Sequence, residues 1–157
     1  MKSLFLLAIV ALASNVYGID YPQNPDRRVT PGSLCDRPTQ YRYPERIAYC
    51  ERDVTTQTKN DVFATYRNEL GFKLDVRNRS NYKIDHFIPL CAGGSNHEDN
   101  LWPQHITVFT ITDPLEPLAC AKLAEGVITQ KAVVELIKKA KYDLKQVPVV
   151  IRYLNSL

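Results

Sequence analysis

Apolar residues return at helical spacing in three stretches of this chain. From Thr58, which with Asp61 makes an N-terminal capping pattern, Val62, Phe63, Tyr66 and Leu70 fall on one face until Gly71 stops the run, predicting a first helix. Thr112 or Asp113 caps a second, with Pro114 in its first turn, Glu116 three residues after Asp113, and a Leu115, Leu118, Leu123 stripe that ends at Gly126. Pro117 leaves its start open by a few residues. A third opens at Thr129 and sets Val133, Val134, Ile137, Ala140 and Leu144 against a polar side that takes most of Lys138, Lys139 and Lys141. Val147 to Leu154 is an apolar tail that reads equally as strand or packed extension. Residues 19–55 read as an irregular arm: they are rich in Pro, Arg, Gln and Asp, with a turn at Pro31-Gly32.

The stretch between the first two helices is different. Residues 72–81 form a polar connector, and Asn78-Arg79-Ser80 in it matches a glycosylation acceptor that matters only in a eukaryotic secretory route. Residues 82–105 then hold all three histidines, His86, His97 and His105, together with Asp85, Asn96 and Asn100. Asp85 and His86 are adjacent, so on an extended strand they point to opposite faces unless a bulge or bend re-aims them. Pro89 removes a backbone donor and Gly93-Gly94 permits positive φ, so the strand carrying His86 ends there and Asn100-Leu101-Trp102-Pro103 runs back. The expectation is a hairpin with a wide loop.

Residues 1–18 read as a secretory signal. Lys2 is the charged start, Leu4 to Ala13 the apolar run, and a cut falls before Ile19, with Ala13 as a second site. The run falls well short of the roughly 20 residues that span a bilayer, so the mature protein is expected to be free of membrane and secreted or periplasmic. Losing Lys2 lowers the formal charge from +3 to +2, which says little about partners. Between Arg27 and Lys83 twelve Lys and Arg face seven Asp and Glu, an excess that taken alone reads first as a solvated surface, although it suits a polyanion. Four cysteines in an exported chain point to two disulfides, and three pairings are open. Cys35 with Cys50 and Cys91 with Cys120 is preferred, because the second bridge would tie the loop after His86 to a downstream helix. A zinc cluster lacks any C-x-x-C pair to support it.

Hydrolysis of a phosphodiester needs a base for water and a cation beside the developing charge. His86 suits the first role, with an ordinary histidine pKa near ~6.5. Asp85 is a hard oxygen ligand of the kind Mg²⁺ or Mn²⁺ prefers. Asn100 does not titrate, but its amide can hold the hairpin backbone and so fix the imidazole's direction.

Asp85-His86 with Pro89-Leu90, Gly93-Gly94-Ser95-Asn96 and Asn100-Leu101-Trp102-Pro103-Gln104 resembles the HNH endonuclease family, the ββα-metal or His-Me finger nucleases. The spacing of fourteen from His86 to Asn100 agrees, the resemblance covers about residues 82–126, and Thr30-Pro31-Gly32 with Cys35 looks like arms of secreted members. It implies an α+β fold: a small ββα-metal finger with additional packing helices, stapled by disulfides, as an HNH domain over 56–157. It also implies His86 as general base, Asp85 as ligand of a single divalent ion, Mg²⁺ or Mn²⁺, and Asn100 as the residue that orients the loop. The last ligand departs from the family pattern, because nine positions beyond Asn100 lies Phe109 and thirteen lies Asp113. Asp113 is the best candidate beside its reading as a helix cap, His105 is the rival, and Glu116 is a third choice. Lys83 and Arg79 are the candidate phosphate contacts, and Arg77 precedes them. His97 reads as exposed and Trp102 as an apolar pin between hairpin and helix.

The function expected is therefore an exported, metal-dependent endonuclease acting on nucleic acid, DNA in preference to RNA. No helix-turn-helix or zinc finger is present to read sequence. A non-catalytic, disulfide-stapled nucleic-acid-binding module on an HNH-like scaffold is the alternative. A toxin is a third reading, for which an inhibitor or immunity protein would be the protein partner.

Overall fold

A computed structural model describes residues 20–75 and 77–157, so the expected export signal over residues 1–18 lies outside the described residues. The fold is α+β, with two small antiparallel hairpins, packed helices and two disulfides. The arm is not irregular throughout. It carries the first hairpin, β1 (Gln40–Arg42) paired with β2 (Ile47–Tyr49), whose turn sets Tyr43 and Arg46 at positive φ. Strands of three residues are too short to show an alternating pattern, which is why the sequence hides them.

Helix α1 (Thr56–Asn68) starts earlier than expected, because the Thr55 hydroxyl, not Thr58, accepts from the Thr58 amide and caps it. The second hairpin follows, β3 (Tyr82–His86) against β4 (Leu101–His105), with Asp85 opposite Trp102 and His86 opposite Leu101. A short helix α2 (Ile106–Thr112) comes directly after β4. Its sequence, Ile-Thr-Val-Phe-Thr-Ile-Thr, is dense in β-branched residues and has no helical signature of its own. Buried Val108 and Thr112 fix it through tertiary packing, with the Gln104 amide donating to the Thr112 hydroxyl at 2.9 Å. Asp113 closes α2 and does not open the next helix, α3 (Leu115–Glu125), which ends on Gly126 at φ 71° as expected. Thr129 caps α4 (Gln130–Tyr142), and the apolar tail is a helix, α5 (Val147–Asn155).

Two apolar clusters form the core, one at the loop after β3 and one at the second hairpin. Leu115, Ala119 and Leu123 of α3, Val133, Ile137 and Ala140 of α4, and Val150 and Leu154 of α5 gather around Ile47, Ile88 and Ala92. In the second, Val62, Phe63 and Tyr66 of α1 meet Ile84, Phe87, Leu101, Trp102 and Val108. Each such side chain fully buried stabilises by about 1.5–3 kcal/mol, so the hairpin is anchored by the second cluster and the loop after it by the first. Trp102, fully buried opposite Asp85, is the apolar pin the sequence suggested.

Both expected bridges are present, Cys35 with Cys50 and Cys91 with Cys120, and among the described residues no cysteine is free. They suit an oxidising, extracellular-type environment. Among the described residues no helix is long and apolar enough to cross a membrane. The first bridge closes the arm on itself, and backbone bonds from Gly32 N to Asp99 O, Cys35 N to Gly93 O and Ser95 N to Ser33 O lay it along the hairpin loop.

Candidate active site

Strand parity separates Asp85 from His86. Lys83 and Asp85 share one face of β3 with Gln104 and Trp102 opposite them, while Tyr82, Ile84 and His86 share the other with His105, Pro103 and Leu101. No bulge interrupts the register, so the two residues enter different environments.

The His86 ring is buried at 5% exposure. Its Nε2 lies 3.0 Å from Asn96 Oδ1, and Asn96 Nδ2 donates to Glu51 O at 2.7 Å. That second bond fixes the amide's orientation, so Oδ1 faces the ring and Nε2 carries the proton. The basic lone pair of neutral His86 is then on Nδ1, which has no hydrogen-bond partner among the described residues. Burial pushes the imidazole below its ordinary pKa. The hydrogen bond to Asn96 opposes this, and the nearby Arg52 guanidinium reinforces it. His86 is therefore a neutral base with a defined tautomer at neutral pH.

Asn100 is fully buried and does not face this ring. Its side chain accepts from Ile88 N at 2.9 Å and donates to Ile88 O at 3.0 Å and Ser95 O at 2.9 Å, while its carbonyl accepts from Phe87 N. The amide thus clamps both ends of the loop after His86, the positioning role its sequence context suggested. Gly94 makes the clamp possible. A Cβ there would collide with the Ile88 carbonyl and meet Asn100 Nδ2 at 2.9 Å.

Asn96 also lines a cleft of about 550 Å³ with Asp36, Arg37, Glu51, Arg52, Asp53 and His97. His97 is exposed and pairs with Asp36 at 3.1 Å, joining loop to arm. The cleft mixes three carboxylates with two exposed guanidiniums, so its charge alone does not select an anion. The sequence places Asn96 in the motif without a role and gives no sign of Arg52, because only the Asn96 bond to Glu51 brings these distant segments together.

On the opposite face lies a chain of alternating charges. Asp113 Oδ1 pairs with Lys83 Nζ at 2.5 Å, Lys83 Nζ with Asp85 Oδ1 at 3.3 Å, Asp85 Oδ2 with Lys141 Nζ at 2.7 Å, and Lys141 Nζ with Glu116 Oε1 at 2.6 Å. Three candidate metal ligands, Asp85, Asp113 and Glu116, are thus gathered in one network. Lys141, expected mostly on the solvent side of α4, is completely buried. It lies four residues beyond Ile137, and the stripe Val133, Ile137, Lys141 is the signal that could have placed it.

Burial alone would raise the Asp85 carboxyl, but the Lys141 and Lys83 ammonium groups outweigh it and hold Asp85 below the usual carboxylate range. Burial raises the Glu116 carboxyl, and the neighbouring Asp85 charge adds to the rise against the pull of Lys141. Burial would lower Lys141, yet the two carboxylates raise it, so the ammonium stays charged.

Two other candidates are placed elsewhere. His105 lies on the His86 face at the far end of the hairpin, stacked on Tyr21 at 3.9 Å and edge-on to Tyr82, with Nδ1 capping α2 through Thr107 N. It is not brought to Asp85. Arg79 lies over the Phe63 ring at 4.0 Å and donates to Lys59 O, which ties it to α1. Lys83 is committed to Asp85 and Asp113.

No protein-family model, curated protein or solved structure matches the chain at a significant level.

Proposed function

We propose that this protein is an exported HNH-type endonuclease that hydrolyses phosphodiester bonds of nucleic acid, DNA in preference to RNA and with little sequence preference. In this reading β3, β4 and the helices that follow form the ββα finger. The observation that carries it is His86, a neutral imidazole pinned through Nε2 by Asn96, which itself lines the cleft, at the start of a loop clamped by Asn100.

His86 Nδ1 accepts the proton of an attacking water, and Asn96 holds the ring in the tautomer that leaves this atom basic. Asn100 acts through the backbone from Phe87 to Ser95 and touches no substrate. Arg52 and Arg37, exposed on the cleft wall, are placed for phosphate oxygens.

The resemblance also brings a divalent ion, Mg²⁺ or Mn²⁺, at Asp85. The residues as they stand do not fit one. The point among Asp85 Oδ2, Glu116 Oε1 and the His86 carbonyl is taken by Lys141 Nζ, and among the described residues no group of three His, Cys, Asp or Glu could hold a metal. No step is therefore routed through the ion. The occupied position also favours a second reading, a disulfide-stapled nucleic-acid-binding module that does not cleave.

A plasmid-nicking assay on the oxidised mature protein, run with Mg²⁺, Mn²⁺, Ca²⁺, Zn²⁺ or EDTA, separates the two. Nicking is expected, and it should disappear in His86→Ala. Retention of plasmid on the protein without nicking in any of these conditions would establish the binding module instead.

A further inference from the structure

The Lys141 ammonium has three protons and three acceptors. It donates to Asp85 Oδ2 at 2.7 Å, to the His86 carbonyl at 2.6 Å and to Glu116 Oε1 at 2.6 Å, so no donor is left over. Two carboxylate oxygens and one main-chain carbonyl are what a hard cation selects, and here the cation is covalently tethered to the chain. We propose that Asp85, Glu116 and the His86 carbonyl form a cation site whose resident cation is the chain's own Lys141 ammonium, so that the native protein takes up no divalent ion there.

Charge and burial both support this. Asp85 is served by two ammonium groups, one on each carboxylate oxygen, and Glu116 shares one of them. Three carboxylates, Asp85, Glu116 and Asp113, share the two ammoniums, but Lys141 stands at the point among the oxygens, and at such distances a dication beside it would be strongly repelled. An incoming ion must therefore displace the ammonium. Lys141 is wholly buried on α4, in the stripe that includes Ile137 and Ala140, so its departure requires opening of the core and would leave a charged group seeking water. The tether also reaches the base's own backbone, because the carbonyl it holds belongs to His86. In this role Lys141 is a positioning residue.

The test measures Mn²⁺ uptake by calorimetry and melting temperature in Mn²⁺ against EDTA, on the full oxidised mature chain. The wild-type protein is expected to show no saturable Mn²⁺ binding and one melting temperature in both conditions. In Lys141→Met the oxygens lose their cation, so the variant is expected to take up one Mn²⁺ per chain and to melt higher in Mn²⁺ than in EDTA. Adding Glu116→Gln should abolish that uptake. If Lys141→Met does not fold in EDTA, Mn²⁺ should restore its folding. Saturable Mn²⁺ binding by the wild type that Asp85→Asn removes would overturn the proposal, and so would a Lys141→Met protein that neither binds Mn²⁺ nor is rescued by it. These readouts do not depend on cleavage, so a protein that nicks nothing refutes the nuclease reading and leaves this inference to its own result. A protein that does nick is expected to do so equally in EDTA.

Discussion

The two faces of the β3–β4 hairpin solve opposite electrostatic problems. On one, Asp85 is enclosed by Lys141, Lys83, Glu116 and Asp113, and every charge has a partner. On the other, the adjacent His86 is kept uncharged by burial, is fixed by one amide, and has the Arg52 charge nearby. The first arrangement resists change because breaking one partner strands another, whereas the second leaves one ring nitrogen free to take a proton. The contrast teaches that adjacency in sequence need not mean a shared reaction centre. An Asp-His pair on an unbulged strand supplies two environments, one locked in ion pairs and one with a free ring nitrogen.

The largest expected effect is on the reactive face. If the proposed nuclease reading holds, His86→Ala removes its base and should lower cleavage by ~10² to 10⁴, with folding unchanged by circular dichroism. Unchanged nicking in that variant would take His86 out of the chemistry and make the contrast between the faces purely structural.

Asn100→Ala comes next, because it attacks the clamp shared by both ends of the loop. It leaves Ile88 N, Ile88 O and Ser95 O without their present partners, and each buried group left unpaired costs about 1–3 kcal/mol. Urea denaturation should therefore show a loss of at least that size, with cleavage falling as the loop loosens. A stability change within error would mean that the loop holds itself and that Asn100 is dispensable.

Much of this was legible before any coordinates. Pro89, Gly93-Gly94 and Asn100 announced the wide-looped hairpin because each enforces a backbone event, and Thr129 and Gly126 marked helix ends for the same reason. The β1–β2 hairpin and α2 were not legible. Three-residue strands carry no period, and α2 exists through packing against its own propensity. The site was legible by residue but not by grouping. Asp113 and Glu116 do lie near Asp85, but through Lys83 and Lys141, and the polarity of Lys141 hides its i, i+4 position after Ile137. Asn96 left no signal apart from its neighbours, since its role depends on Glu51 forty-five residues away.

A smaller effect follows from the protonation of the base. The folded-state pKa of His86 is depressed by burial, and the ring works when neutral, so cleavage should rise with pH to a midpoint below the ordinary histidine value of about 6.5 and then level off. The sign for stability is the same. The unfolded chain takes the proton first, so this contribution is complete above about pH 6.5 and is lost as pH falls through the lower folded value. A kinetic midpoint at or above 6.5 would mean that the ring is solvated in solution, and the two faces would be less different than the side-chain geometry makes them.

The smallest effects are expected where the sequence offered the last metal ligand. Asp113 is about half exposed at the C-terminal end of α2, where a carboxylate faces an unfavourable helix dipole, and its ion pair with the partly exposed Lys83 is worth at most about 1 kcal/mol. Asp113→Asn should therefore be nearly silent in stability and rate, with no change in response to Mn²⁺. His105→Ala should cost about 1 kcal/mol through the lost α2 cap, together with the stack on Tyr21, and leave the rate alone. A strong, Mn²⁺-reversible loss of cleavage in Asp113→Asn would show that the carboxylate leaves Lys83 to bind an ion. Because Lys83 also pairs with Asp85, such a result would mean that the charge chain opens from its exposed end, and the ion-paired face would then be a closed state of a metal site.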